Sequence, residues 1–182
     1  MLISEIQEKI HNNATRQGVH GENEPSEIEY RCRIIEGILG AYRAFDEGTP
    51  PAYFSVANGE IDAFNDPKEY LEFLIARDQS PKPEGFAVAL VDVAIRCFDC
   101  LEEKGINYVK RRRPVKQDPN LFLMNLLDPI SSQTIEVGVD IVVSKILSFF
   151  NCMGWDFRSI LALKMRYNDT IPYHHGTKGN NG

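Results

Sequence analysis

The chain has 182 residues, of which 43% are hydrophobic and 25% are charged, an ordinary balance for one globular domain with a full core. Its formal net charge of −6 argues against a dedicated nucleic-acid-binding protein. No apolar run is long enough to cross a bilayer, and no secretory leader is visible. We therefore expect a single domain over residues 1–175, no association with membranes, and a flexible tail at 176–182.

Two amphipathic helices open the chain. The first is predicted from Leu2 to about Gln17. The second begins after Ser26, a predicted N-cap, and runs to about Phe45. Its apolar residues recur at intervals of three and four, the spacing of a helix face that packs against a core. These residues are Ile28, Cys32, Ile35, Leu39 and Tyr42.

The middle of the chain is less periodic. Residues 52–66 are predicted as either a packed loop or a short hairpin. A short helix is expected from Pro67 to about Arg77. Residues 80–85, Ser-Pro-Lys-Pro-Glu-Gly, predict a stiff extended link. A longer helix then runs to about Lys104.

The stretch Val88–Phe98 of this longer helix places one acid, Asp92, among apolar residues. A carboxylate in such a setting is costly unless it is paired, hydrogen-bonded, protonated or bound to a metal. The pattern returns at Val137–Val143 around Asp140. Both stretches lead through a phenylalanine and a cysteine to a turn that contains glycine. We interpret them as a diverged internal repeat.

The second half of the chain begins with its densest positive run, residues 110–116. This run is interpreted as either a solvated connector or a phosphate-binding loop. A short helix is predicted over residues 120–127, with a break at Pro129, and a long helix from about Ser132 to Cys152. A last helix, capped by Asp156, runs to about Tyr167. Because strand signals are nearly absent, we predict an all-α helical bundle.

The four cysteines are Cys32, Cys97, Cys100 and Cys152, each in an apolar, helix-like setting. This usage fits reduced thiols and a cytoplasmic location. Cys97 and Cys100 form a C-x-x-C pair, whose functional interpretation is a metal or redox site. Because the pair lies within a helix and has no second C-x-x-C, packing in the core is the preferred interpretation.

A motif stands at the C-terminal end. Residues 164–178 read Lys-Met-Arg-Tyr-Asn-Asp-Thr-Ile-Pro-Tyr-His-His-Gly-Thr-Lys, and Lys82-Pro83-Glu84-Gly85 precedes the Asp92 helix. Together they resemble the MazG-like branch of the all-α nucleoside triphosphate pyrophosphohydrolases. The resemblance extends over most of the chain and implies a MazG-like helical bundle.

The resemblance implies a magnesium site built from two helices, each with two acids at i and i+3. Four carboxylates then hold Mg²⁺, which binds a triphosphate and activates a water. The Glu-x-x-Glu of the family falls here on Ile34 and Gly37, and its Glu-x-x-Asp on Ala89 and Asp92. A single acid of the four remains. The tail also departs from the pattern, since Ile171 stands where the family has arginine.

The preferred function is a nucleotide-binding protein that sequesters or senses its ligand without hydrolysing it and without a cofactor. Basic and amide side chains would hold the phosphates. The expected ligand-binding residues are Lys164, Asn168, Tyr173, His175 and Lys178, and the basic run adds Arg111 and Arg112.

Two other functions stay open. The first is a Mg²⁺-dependent pyrophosphohydrolase whose metal site is rebuilt from Asp92, Glu136 and Asp140. The second is a structural or partner-binding bundle, in which the two aspartates pair with nearby cations. The candidate cations are Arg31, Arg33, Arg96 and Lys145. The resemblance further implies a homodimer, since helical pyrophosphohydrolases generally associate through their helices.

Overall fold

The computed structural model describes residues 3–16, 25–56, 59–62, 82–109, 111, 113, 115 and 118–170. Within these residues the chain forms six α-helices and one hairpin. The helices are α1 (Ile3–Arg16), α2 (Glu27–Asp46), α3 (Phe86–Glu103), α4 (Pro119–Ser132), α5 (Ile135–Met153) and α6 (Phe157–Thr170). The hairpin strands are β1 (Tyr53–Val56) and β2 (Gly59–Asp62). The all-α prediction is confirmed for the described part of the chain.

Helix α3 lies at the centre of the bundle, where it packs against α1, α2, α5 and α6. Leu90, Val91, Val93, Ala94 and Cys97 on α3 have no solvent exposure at all. The helix is apolar on nearly every side, which is typical of a helix enclosed by other helices. The stretch around Asp92 is therefore the core of the domain, and the polar groups on α3 face the few places where the core opens.

Helices α3 and α5 end in the same way, in agreement with the predicted repeat. Gly105 and Gly154 have φ values of 65° and 70°, the left-handed region that favours glycine. The next residue donates its N–H to the carbonyl five positions earlier in both cases, Ile106 to Leu101 at 2.8 Å and Trp155 to Phe150 at 2.9 Å. This is the hydrogen-bond pattern of a Schellman C-cap.

Helix α2 begins as predicted. The Ser26 hydroxyl accepts from the backbone N–H of Glu29 at 3.3 Å, and the Glu29 carboxylate accepts from the Ser26 N–H at 2.6 Å. These two bonds form a capping box. The Ser26 N–H and the Ser26 hydroxyl, which lies 2.9 Å from the same carboxylate oxygen, lower the pKa of the Glu29 carboxyl because both stabilise its ionised form.

The orientation predicted for α2 is wrong. The buried residues of α2 are Tyr30, Ile34, Gly37, Ile38 and Ala41. The predicted core stripe faces away from the bundle instead: Ile28 is 72% exposed, Leu39 47% and Tyr42 46%. Cys32 is also exposed, and only Ile35 is half-buried. Helix α2 thus carries apolar residues on two faces, and the described part of the chain covers one of them.

The predicted break at Pro129 is also wrong, because α4 continues through this residue to Ser132. A proline inside a helix leaves the carbonyl four residues earlier without its backbone donor. That carbonyl belongs to Asn125, and the ammonium of Lys145 on α5 donates to it at 2.6 Å. Gly138 of α5 allows the close approach of the two helices, since a Cβ there would lie 2.5 Å from the Pro129 oxygen.

Residues 53–56 and 59–62 pair as the hairpin that was one of two predicted structures, with Tyr53 opposite Asp62. Tyr53 also exchanges backbone hydrogen bonds with Glu84, at 3.0 and 2.9 Å, which attaches the hairpin to the start of α3. The helix predicted from Pro67 to Arg77 lies outside the described residues. The same holds for Ser80, Pro81 and the tail at 176–182.

None of the described helices is, on its own, long and apolar enough to span a membrane. Helices α5 and α6 together reach that length and hydropathy, but as a pair bent by 118°. Trp155, between these two helices, packs edge-on against Phe149 and Phe150, with ring centroids 5.9 and 5.6 Å away. The indole therefore packs against the hydrophobic core.

Candidate functional site

A cavity of about 330 Å³ opens between α1, α2, α3 and α6. This volume lies at the lower end of the range of small-molecule sites. Its apolar lining residues include Ile10, Ile95 and Met165. The polar and charged residues that line it are Asn13, Tyr30, Arg33, Glu36, Asp92, Arg96, Asp99 and Asn168.

Asp92 is neutralised by two cations. Its carboxylate lies 3.3 Å from the ammonium of Lys164 on α6 and 3.3 Å from the guanidinium of Arg96, one turn further along α3. The side chain of Asp92 is 28% exposed, so the carboxylate stands at the edge of the core and not within it. Arg96 is among the partners expected for a paired aspartate, whereas Lys164 was expected to hold phosphate.

Arg96 connects α2 to α3. Its Nη1 group donates to the backbone carbonyl of Arg33 and lies 3.3 Å from the carboxylate of Glu36. A single guanidinium therefore bridges an acid on α2, Glu36, and an acid on α3, Asp92. In the family that the sequence resembles, a metal ion would link these two helices.

Arg33 carries a hydrogen-bond donor that the described residues leave unused. Its Nη1 atom is buried and has no hydrogen-bond partner among them. A buried donor without a partner is unfavourable, and a guanidinium group matches the geometry of carboxylates and phosphates. Arg33 is one of the residues that line the cavity.

Asp99 is the most buried acid of the cavity. Its carboxylate accepts from Nδ1 of His11 at 3.0 Å, and Nε2 of the same ring lies 3.8 Å from Glu103. Burial, followed by the charges of Asp99 and Glu103, raises the pKa of the nearby Tyr30 phenol well above its usual range. Tyr30 therefore stays neutral and keeps its proton as a potential donor.

Sequence reasoning missed Asp99, and it considered Arg33 as a partner of the two aspartates and not as a residue of the cavity. A signal for Asp99 was present, because Asp92, Arg96 and Asp99 recur at i, i+4 and i+7 and therefore share one face of α3. No comparable signal marks Arg33, whose position depends on how α2 is turned against α3.

Glu136 and Asp140 do not share a site with Asp92. Neither Glu136 nor Asp140 lines the cavity. Asp140 lies 4.0 Å from the guanidinium of Arg111, and Lys145, one of its expected partners, bonds Asn125 instead. Within the described ranges, no three His, Cys, Asp or Glu side chains lie close enough together to hold a metal ion. The residues present thus do not fit the magnesium site that Asp92, Glu136 and Asp140 were expected to form.

The expected phosphate-binding residues divide into three groups. Lys164 and Asn168 come together at the cavity. Lys164 forms an ion pair with Asp92, and Asn168 lines the cavity directly. Arg111 is 58% exposed and lies beside Asp140, away from the cavity lining. The others, Arg112, Tyr173, His175 and Lys178, lie outside the described residues, so their roles stay predictions.

Cys97 and Cys100 are buried in the core, as preferred from the sequence. Burial raises the pKa of both thiols, to about 12 for Cys100, so neither forms a reactive thiolate near neutral pH. This argues against a redox pair. Cys32 and Cys152, in contrast, are exposed, and the core position expected for Cys32 on the apolar stripe of α2 is wrong.

Comparisons with protein-family models, with curated proteins and with solved structures gave no match. The resemblance to MazG-like proteins therefore rests on the sequence motifs alone.

Proposed function

We propose that this protein binds a nucleotide in the cavity between α1, α2, α3 and α6 and does not hydrolyse it. The single observation that carries the proposal is the pair of cations on Asp92, Lys164 and Arg96. Mg²⁺-dependent hydrolysis in a site of this type needs clustered carboxylates. A carboxylate already in contact with two cations is a poor metal ligand.

The binding half of the proposal is supported by the donors of the cavity. Arg33 presents a buried Nη1 without a partner among the described residues, and Arg96 lies beside it. The amide of Asn168 lines the same cavity from α6. The guanidinium of Arg33 and the amide of Asn168 suit phosphate oxygens, and the apolar lining residues suit a nucleoside.

The first experiment is a thermal-shift and calorimetric screen with nucleoside mono-, di- and triphosphates, with and without Mg²⁺. A ligand that binds the native state raises the melting temperature by mass action. We expect a shift that does not require Mg²⁺, and chromatographic recovery of the ligand intact. Release of pyrophosphate would overturn the non-hydrolytic part, and the absence of any shift would favour a structural bundle.

The matched variants are Arg33→Gln and Arg166→Gln. Arg166 is an exposed arginine of α6 that does not line the cavity. Loss of a charge-assisted hydrogen bond from Arg33 is expected to weaken binding by about tenfold to a hundredfold. Arg166→Gln is expected to leave the affinity unchanged. Equal effects of the two substitutions would show that binding responds only to the overall charge.

A further inference from the structure

A cavity of about 360 Å³ lies between α1 and α6. Both helices pack against α3, and this α1–α6 cavity occupies the gap left between them. Its walls are four apolar side chains, Ile6, Ile10, Leu161 and Met165. Each of them is at most 8% exposed, so the cavity is a narrow space and not a flat apolar surface. Ile10 and Met165 also line the cavity of Asp92, but none of the polar residues of that cavity lines this one.

The α1–α6 cavity is elongated along α6. Its lining residues extend from Arg158 to Asp169, a rise of about 16 Å. Arg158, Ala162 and Arg166 follow one another at intervals of four and therefore lie along one edge of the helix. Ala162 carries only a methyl group, which leaves room between the two longer side chains. At the end that Asp169 lines, the amide of Asn13 donates to the Asp169 carboxylate at 2.8 Å and joins α1 to α6.

The rim of the α1–α6 cavity is positively charged, although the whole chain has a net charge of −6. Three exposed cations line it, Lys9, Arg158 and Arg166. Within the described ranges, none of the three forms an ion pair with an acid. The one acid of the lining, Asp169, already accepts the hydrogen bond from α1. Asp156, near Arg158, accepts from the Arg158 N–H at 3.1 Å and from the Ser159 hydroxyl at 2.5 Å, which cap the start of α6.

We propose that the α1–α6 cavity binds a free fatty acid of medium chain length, with its carboxylate at Lys9 and Arg158 and its hydrocarbon chain between the apolar walls. Removal of the chain from water supplies most of the affinity. The cations at the rim favour an anionic headgroup over a neutral or cationic one. A partner helix would need an exposed apolar face to pack on, whereas a thin hydrocarbon chain reaches walls that are buried. The inference does not depend on nucleotide binding, and its tests use no nucleotide.

The first test is isothermal titration calorimetry of the full chain with decanoate, below the concentration at which decanoate forms micelles. We expect saturable binding of one molecule to each chain. Hexanoate lacks four of the methylene groups and is expected to bind on the order of a hundredfold more weakly. Decylammonium has the same chain and the opposite charge, and it is expected to bind about tenfold more weakly or less.

The second test fills the cavity without removing a charge. Ala162→Leu places a larger apolar side chain between the two arginines of α6 and is expected to weaken decanoate binding by about tenfold or more. Ala162 is exposed, and leucine is a good helix former, so the variant is expected to fold. Asn12→Leu, at an exposed residue of α1 that does not line the cavity, is the matched control and is expected to leave the affinity unchanged.

The third test removes the charges that hold the carboxylate. Lys9→Gln combined with Arg158→Gln is expected to weaken decanoate binding by about tenfold, since two exposed charge pairs are lost. Loss of a cation from the first turn of α6 does not oppose folding, because a positive charge is unfavourable at a helix N-terminus. Arg43→Gln combined with Lys104→Gln changes the net charge equally at exposed residues away from the cavity, and it is expected to leave the affinity unchanged.

Four results would overturn the proposal. The first is the absence of saturable decanoate binding. The second is equal affinity for decylammonium and decanoate, which would show a contact without charge selection. The third is unchanged affinity in a folded Ala162→Leu variant, with helical circular dichroism equal to that of the wild type, which would place the site elsewhere. The fourth is co-sedimentation with phosphatidylglycerol vesicles without binding of decanoate, which would assign the charged rim to a membrane surface.

Discussion

Replacing Asp92 with asparagine separates the two roles considered for this residue. The substitution removes both ion pairs, each of 3.3 Å. Arg96 keeps its contacts with the Arg33 carbonyl and Glu36, so most of the loss falls on Lys164, which is 15% exposed. Exposed pairs contribute about 0–1 kcal/mol, and breaking a buried pair costs about 3–5 kcal/mol. For this half-buried pair we expect a loss of about 1–2 kcal/mol, measured by urea denaturation.

The same substitution is expected to strengthen nucleotide binding, since it removes a negative charge from the cavity. For a phosphate roughly 8 Å away, at an effective dielectric constant of about 40, the Coulomb energy is about 1 kcal/mol, or about fivefold in Kd. Asp46→Asn, at an exposed acid at the end of α2, is the control and is expected to change stability by less than about 0.5 kcal/mol. Weaker nucleotide binding, or loss of a Mg²⁺-dependent release of pyrophosphate, would refute this reasoning and identify Asp92 as a metal ligand.

Two further predictions concern the core. Gly138→Ala brings a Cβ to 2.5 Å from the Pro129 oxygen and is expected to lower the free energy of unfolding by about 1–3 kcal/mol. Gly40→Ala, where a Cβ would meet no atom within 4 Å, is expected to raise the free energy of unfolding by about 0.5–1 kcal/mol. The reverse order of stabilities in urea denaturation would contradict the packing of α4 on α5. Because burial raises the pKa of Cys97 and Cys100, the native state retains two protons that the unfolded state releases above about pH 8.5. The two buried thiols therefore contribute their full stabilisation below that pH, and this contribution decreases as the pH rises toward 12. Equal labelling of all four thiols in the native protein at about pH 8 would contradict the burial of Cys97 and Cys100 on which this prediction depends.

The helices were predictable because their caps and periodicity are local. Ser26 and Glu29 form the expected capping box, and the glycine turns after α3 and α5 lie where the repeat places them. Which face of α2 enters the core was not predictable from periodicity. Residues 30, 34, 38 and 41 carry a helical pattern as regular as that of residues 28, 32, 35, 39 and 42. A single sequence cannot rank two apolar faces of one helix.

The departures at Pro129 and Asp92 have a different cause, because each depends on a cation that is distant in sequence. Lys145 donates to the carbonyl that Pro129 leaves unpaired, and α4 continues where local rules predict a break. The Arg96 partner of Asp92 lies one helical turn away and was predictable. Lys164 lies on another helix, and its pairing depends on the tertiary packing of α6 against α3.

The guanidinium of Arg96 has one more consequence. A counter-charge that belongs to a side chain cannot be chelated, diluted or exchanged for another ion. The link between Glu36 and Asp92 therefore requires no divalent cation from the medium. Addition of EDTA, or replacement of magnesium by calcium, leaves this link between α2 and α3 as it is.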